Sequence, residues 1–232
     1  MKLYTGDLSP YSAKVRMQIY AMGIEDDVQF GLPDSFLAMW FQGKLAEFSP
    51  LARIPILELD DGIIPESEVI SEFLEDSFPD RTLLGSTSKA RAAVRLVSRI
   101  ADIYIMNNLF LALSQLDPET RVDATRDLLV AQIERGMRAL DQYIGPGDFA
   151  VGDSLTRADC TLVPALFMCE STMPGLGVAN PVEKTENVKG YWARIQQNEH
   201  AARVVAEMAR GLKARLDGTE RKMVESAIAK EQ

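Results

Sequence analysis

Ser9-Pro10-Tyr11-Ser12 is the first place along the chain where residue types and spacing allow chemistry. Serine is a favoured N-cap and proline a favoured first helical residue, so the pair can simply start a helix. The same pair has a chemical use. A helix N-terminus carries about half a positive charge and N–H groups without intrahelical partners, and it stabilises an anion placed there. If that anion is a thiolate, a hydroxyl donor at Ser9 and the helix end together draw a thiol pKa down from about 8.5 toward neutrality. Serine acting as the nucleophile would need a base. The single histidine, His200, lies far along the chain in a helical, surface-type context, so a serine-hydrolase triad is not expected.

Two further segments carry similar alternatives. Arg53-Ile54-Pro55 enters a strand signal. A trans proline opening a strand is the ordinary outcome, whereas a cis bond would leave the N–H and C=O of Ile54 facing outward for an extended peptide. Pro65-Glu66-Ser67 precedes a helical pattern, where Ser67 or Glu66 can cap the helix. The alternative is a carboxylate site, with the Ser67 hydroxyl and N–H receiving a ligand carboxylate and Glu66 pairing with an ammonium. That combination describes the head group of an α-amino acid.

The elements that must position these residues follow from periodicity. Lys2 to Thr5 reads as a strand, Pro10 to Met22 as a helix stopped by Gly23, residues 27 to 30 as a second strand and 35 to 47 as a helical segment. Residues 54 to 59 and Ile63-Ile64 bracket Asp60-Asp61-Gly62 as a hairpin, and a helix from Ser67 buries Ile70, Phe73 and Leu74. The order is βαβαββα. A turn-rich stretch, Pro79 to Ser88, ends it, and everything beyond is helical in period. Helices are expected over about 88 to 115 and 119 to 143, the latter with a stripe of Leu129, Ile133, Met137 and Leu140. A third starts at Thr156, where Thr156-x-x-Asp159 forms a capping box with Leu155 set to staple onto Cys160. Trp192 belongs to another helix. The tail from 201 to 232 is helical in composition with a thin apolar face, so its end is expected to fray.

Composition excludes several classes. With 47% hydrophobic and 25% charged residues the chain is an ordinary globular protein, and its net charge of −9 argues against nucleic acid as a partner. Cys160 and Cys169 sit in an apolar stretch without metal-knuckle or disulfide spacing, and read as reduced core thiols; no metal is expected. The first residues lack the apolar core of a signal peptide, and no uninterrupted apolar run reaches the roughly 20 residues of a membrane span. A cytoplasmic location without membrane association is the expectation. Arg91, Arg95 and Arg99 share one helix face, which is either solvated or part of an interface between subunits.

Taken together and in this order, these segments resemble the glutathione transferase superfamily over nearly the whole chain. The residues that carry the likeness are Ser9 to Arg16, Ser49-Pro50-Leu51-Ala52-Arg53-Ile54-Pro55, Glu66-Ser67-Glu68-Val69-Ile70, Gly152 to Asp159 and Tyr191-Trp192-Ala193-Arg194-Ile195. Each motif is weak alone; their joint order is specific. The resemblance implies an α/β thioredoxin-like N-terminal domain with a mixed sheet over 1–79, a linker over 80–87, and an all-α helical-bundle domain over 88–232. It implies a cis Ile54-Pro55 bond and glutathione as co-substrate, with Ile54 pairing its backbone to the cysteinyl unit and Glu66 and Ser67 holding the γ-glutamyl head. Ser9 falls where serine-type classes similar to theta, zeta or delta keep their thiol-activating hydroxyl, with Ser12 and Tyr4 as weaker alternatives. Gln42-Gly43-Lys44-Leu45 departs from the family's usual glycine-carboxylate pattern, which leaves Lys44 and Arg53 as charge-compatible substitutes.

Tyr11, Tyr104, Asn107 and Phe110 are the expected lining of an electrophile pocket, with Ile103 and Met106 on the same helix; ordinary bundle core is the alternative for the helical residues. The implied activity is glutathione transfer to an electrophilic small molecule by conjugation, substitution or glutathione-dependent isomerisation, typically in detoxification, by a homodimer whose arginine row meets acids across a two-fold cleft. The competing expectation is a non-catalytic glutathione-binding or regulatory protein on the same fold. A thiol oxidoreductase is disfavoured because serine stands where that chemistry uses cysteine.

Overall fold

Alternation along two short strands sets the first layer of the protein. Leu3 and Leu57 are completely buried on one face of a sheet, while their neighbours Tyr4 and Ile56 are buried on the other. In the computed structural model, which describes residues 1–32, 36, 37, 39 and 42–230, Lys2–Tyr4 (β1) pairs in parallel with Gln29–Gly31 (β2) and antiparallel with Ile56–Leu59 (β3). β3 turns at Asp60-Asp61 into its antiparallel partner Gly62–Pro65 (β4), giving a four-stranded mixed sheet in the order β2-β1-β3-β4. The expected strand at 27–30 thus lies at 29–31, one to two residues later. Of the helical segment expected at 35–47, Ser35, Ala38, Trp40 and Phe41 lie outside the described residues, and Leu45–Phe48 (α2) is helical.

Around Tyr4 the sheet face closes on aromatic side chains. The Tyr4 ring stacks on Phe36 at 4.6 Å and meets Phe48 edge-on, in a cluster with Leu45, Ile54 and Ile56. Pro10–Met22 (α1) ends at Gly23, whose φ of 64° lets its N–H reach the carbonyls of Ile19 and Tyr20. Ser67–Ser77 (α3) follows β4 and runs beside α1. Lys14 pairs with Glu68, and Gln18 donates to the Ser71 carbonyl and to Glu75. Partners that advance together along both helices make them parallel, so their N-termini lie at the same end.

The compact units are Met1–Thr82 with the chain from Ala206 onward, and Leu83–Val205. In the second, Thr87 caps Ser88–Ile100 (α4), which continues through a π-helical stretch, Ala101–Met106, into Asn107–Ala112 (α5). Asp123–Tyr143 (α6) buries the expected stripe of Leu129, Ile133, Met137 and Leu140. It crosses the π-helical stretch at Gly136, where a Cβ atom would lie 2.6 Å from that of Tyr104. Residues 88–115 are long and apolar enough to match a membrane span by composition, yet Val94, Val97, Ile105, Met106 and Leu109 are buried among the helices of this unit, as in a core helix.

Arg157–Thr172 (α7) begins with the expected capping box. Thr156 donates its N–H and hydroxyl to Asp159, and the same carboxylate receives the Ala150 N–H and the Tyr191 hydroxyl from Glu186–Ile195 (α8). Burial pushes the Asp159 pKa above the usual carboxylate range, opposed by those four hydrogen bonds; burial, and then Asp159 itself, pushes the Tyr191 hydroxyl well up.

Glu199–Leu216 (α9) and Thr219–Lys230 (α10) end the described chain, the latter with Val224 and Ala227 buried; residues 231 and 232, at the end expected to fray, lie outside the described residues. The sequence reading leaves 201–232 with the helical part. From Ala206 onward, however, the chain is grouped with the first unit, because Glu207, Arg210 and Gly211 contact α1 and the loop before it.

Candidate functional site

One row of strand register, Gly31–Tyr4–Ile56–Pro65, crosses the whole sheet. Directly beyond it lie the loop that leads from β1 to Ser9, the Ile54-Pro55 bond that enters β3, and Glu66-Ser67 at the exit of β4. Three segments that are not neighbours in sequence therefore share one edge of the sheet. Because α1 and α3 are parallel, the positive ends of two helices open at that edge.

Ser9 is the N-cap of α1, with Pro10 at the first helical position, and its Oγ accepts the Ser12 N–H at 3.3 Å. The capping role and the chemical role are compatible. A cap bond occupies an oxygen lone pair, whereas a thiolate would receive the hydroxyl proton. Ser12 is completely buried and Tyr4 donates its hydroxyl to Glu58 at 3.0 Å, whereas Ser9 is half-buried.

The loop before Ser9 is fastened from α1. Arg16, side chain 4% exposed, donates to the Thr5 hydroxyl and to the Gly6 and Asp7 carbonyls, and the Gly6 carbonyl also receives the Ser9 N–H. Arg16 closes the Ser9–Arg16 motif, where its residue type alone gave it no role. The signal in the sequence was Lys14, Arg16 and Gln18 alternating with apolar residues along a thirteen-residue helix; the structure buries all three.

Ile54-Pro55 is a cis bond, preceded by Ala52 at φ 50°. Both residues are buried, and Ile54 stands two residues before the first ladder position. Its side chain packs under the β1–α1 loop, where a Cβ on Gly6 would come within 3.1 Å of Ile54 Cδ1. Glu66 occupies φ 74°, ψ 117°, a region sparsely populated by non-glycine residues. It is exposed and makes no side-chain cap bond to α3, so the capping alternative is not realised through Glu66. Ser67, buried, is the first residue of α3, whose leading N–H groups have no intrahelical acceptor. Arg53 and Lys44 are both exposed, and Tyr11 is half-buried in the first turn of α1.

Within the second unit, Tyr104 and Asn107 are exposed and Phe110 is half-buried, while Ile105, Met106 and Leu109 form core. The helix thus divides the residues expected to line a pocket: Ile103, Tyr104 and Asn107 are outside the bundle core, and Met106 is inside it. The π-helical winding over Ala101–Met106 was not visible in the sequence. Arg91, Arg95 and Arg99 are all exposed on one face of α4. Cys160 and Cys169 are buried thiols outside any disulfide, and burial pushes the Cys169 thiol far above its ordinary range, the opposite of a reactive thiolate.

A mixed βαβαββα sheet domain and a helical domain, with two helix N-termini opening at one sheet edge, define the class. Family models for the N-terminal and C-terminal domains of glutathione S-transferase match residues 8–77 and 123–194. The chain belongs to the glutathione S-transferase family. A stringent starvation protein A homolog from Coxiella burnetii is 27% identical over 201 residues, 86% of this chain and 88% of that protein. A maleylacetoacetate isomerase from Pseudomonas aeruginosa is 29% identical over 176 residues, 73% of this chain and 82% of that one. Among solved structures, a glutathione S-transferase from Methylobacterium radiotolerans in complex with glutathione sulfonate has the same fold. Its TM-score is 0.73 at 22% identity, over 88% of this chain and 93% of that one.

Proposed function

We propose that this protein is a glutathione transferase that binds glutathione at the sheet edge of its first unit and holds the sulfur as a thiolate at Ser9. The observation that carries the reading is the register row, which gathers Ser9, Ile54-Pro55 and Glu66-Ser67. In this reading Ile54 meets the cysteinyl backbone, the N-terminus of α3 with Ser67 receives the γ-glutamyl carboxylate, and Glu66 receives its ammonium. Arg53 and Lys44 are the cations available to the glycine carboxylate. The thiol loses its proton to solvent, and the Ser9 hydroxyl and the α1 N-terminus stabilise the charge left on sulfur. That sulfur attacks an electrophilic carbon, in conjugation, substitution, or addition followed by elimination to isomerise a double bond. No bond to the protein forms. Tyr11, Tyr104, Asn107 and Phe110 remain the residues proposed for the electrophile.

Isothermal titration with glutathione tests the site. Ser67→Ala is expected to weaken binding about 10- to 100-fold, because a hydrogen bond to a charged group is lost. Unchanged affinity would remove Ser67 from the site. Turnover with maleyl compounds, halides and epoxides then identifies the electrophile; the similarity to a maleylacetoacetate isomerase puts maleyl substrates first.

A second reading, a non-catalytic protein on this fold, is favoured by the similarity to a stringent starvation protein A homolog, whose name states no transfer chemistry. Silence on titration with glutathione supports a regulatory protein without a glutathione site; heat abolished by an S-alkyl competitor supports a glutathione site, and turnover of an electrophile then separates a transferase from a non-catalytic glutathione-binding protein. We also propose a two-fold dimer in which Arg91, Arg95 and Arg99 meet acids of the partner. Light scattering at twice the 25.7 kDa chain mass, lost in high salt or on Arg→Glu changes, is the expected result; a monomer at all salt concentrations overturns it.

A further inference from the structure

The loop that carries Ser9 is held from two sides, and the second side comes from the far end of the chain. Arg16 reaches three consecutive loop residues, and its remaining Nε donates to Glu207 of α9 at 2.8 Å. The other Glu207 oxygen receives the Tyr20 hydroxyl at 2.9 Å, so both carboxylate oxygens are engaged by α1. The Arg16 and Glu207 side chains are 4% and 13% exposed. A guanidinium so far out of water and otherwise bonded to neutral oxygens needs a counter-charge to stay in place, and Glu207 is that charge.

One turn further along α9, Gly211 lies against the loop itself. A Cβ there would stand 2.7 Å from the Leu8 backbone nitrogen and 2.9 Å from Asp7 Cβ. Glycine is a poor residue inside a helix, and here it permits a contact that any side chain would forbid. Arg210 adds an ion pair with Asp7 at 2.8 Å. The chain of contacts reaches Ser9 in few steps. Glu207 holds Arg16, Arg16 holds the Gly6 carbonyl, and that carbonyl receives the Ser9 N–H.

We propose that Glu207, acting through Arg16, and Gly211, acting by direct contact with the loop, are positioning residues for Ser9: the second half of α9 clamps the β1–α1 loop and so sets where the Ser9 hydroxyl points. This deepens the proposed thiolate site and rests on it for its catalytic consequence, but not for the clamp itself. None of these residues touches a substrate in the proposal. Their effect is to keep one hydroxyl and one helix end aimed at the same point, where a small misplacement is costly.

The test uses the full chain with Glu207→Ala, Glu207→Gln and Gly211→Ala, read by hydrogen exchange of the Thr5–Ala13 segment and by ultraviolet titration of the thiolate of bound glutathione. The clamp predicts exchange in that segment about tenfold faster in Glu207→Ala and Gly211→Ala, against unchanged exchange in the β3–β4 hairpin. It predicts a thiol pKa about half a unit higher or more, with kcat lowered more than KM is raised. Glu207→Gln should recover part of both effects, because its amide oxygen still accepts from Arg16. If Glu207→Ala does not fold, Gly211→Ala decides, since it leaves the ion pair intact and acts only by displacing the loop. Loop exchange equal to wild type in the folded variants overturns the clamp. A faster loop with an unshifted thiol pKa overturns its catalytic consequence. A wild-type protein that never lowers the thiol pKa overturns the thiolate reading instead, and the exchange measurement still decides the clamp.

Discussion

Ser9→Ala is expected to raise the thiol pKa of glutathione bound to this protein by about one unit or more, the equivalent of about 1.4 kcal/mol of lost thiolate stabilisation. The Ser9 Oγ already accepts the Ser12 N–H, so its proton is free for the sulfur; alanine removes that donor and leaves only the helix end. The sign of the pH dependence follows. At neutral pH the variant holds less thiolate and should lose about tenfold or more in kcat/KM, whereas near pH 9 to 10 the thiol ionises unaided and the deficit should shrink. Affinity for glutathione should change little, because Ile54-Pro55 and Glu66-Ser67, the segments proposed to hold the tripeptide, are untouched. Part of any thermal shift belongs to the lost cap, about 1 kcal/mol, and is separated by measuring melting without ligand. A titration curve superimposable on that of the unaltered protein would take Ser9 out of the mechanism.

Asp159→Ala should be the most destabilising single change in the second unit, by about 3–5 kcal/mol. Its completely buried carboxylate receives Ala150 N–H, Thr156 N–H, the Thr156 hydroxyl and the Tyr191 hydroxyl. Alanine would orphan all four donors at once, uncapping α7 and releasing α8. For a chain of this length the melting temperature should fall by about 6–20 °C. Asp159→Asn keeps acceptor capacity on one atom but turns a donor toward a donor, so an intermediate loss is expected. A fall of only one or two degrees in the alanine variant would mean that this carboxylate does not organise the helical unit.

Much of the site was legible because it is written in local physics. Ser9-Pro10 starts a helix wherever the chain goes, Gly23 ends it in the left-handed region, and Thr156-x-x-Asp159 makes its box within one turn. The stripe of Leu129, Ile133, Met137 and Leu140 is set by helical period alone. The choice among hydroxyls was not local. Ser9, Ser12 and Tyr4 differ in availability only because packing buries Ser12 and a neighbouring strand brings Glu58 to Tyr4. The same holds for Glu66, whose positive φ is imposed by the passage from β4 into α3 and left no mark in its residue type.

The amino-acid sequence by itself determined the order of elements, the starts and stops of the helices and the presence of two helix starts suited to an anion beside the Ile54-Pro55 strand entry, since capping, turn chemistry and periodicity act over a few residues. Only the tertiary structure decided that these segments share one sheet edge, that Lys14 and Arg16 are buried with partners, and that the second half of α9 folds back onto α1. The reason is physical. Strand register and buried ion pairs join residues dozens to nearly two hundred positions apart, and their energies depend on burial and geometry that no local pattern encodes.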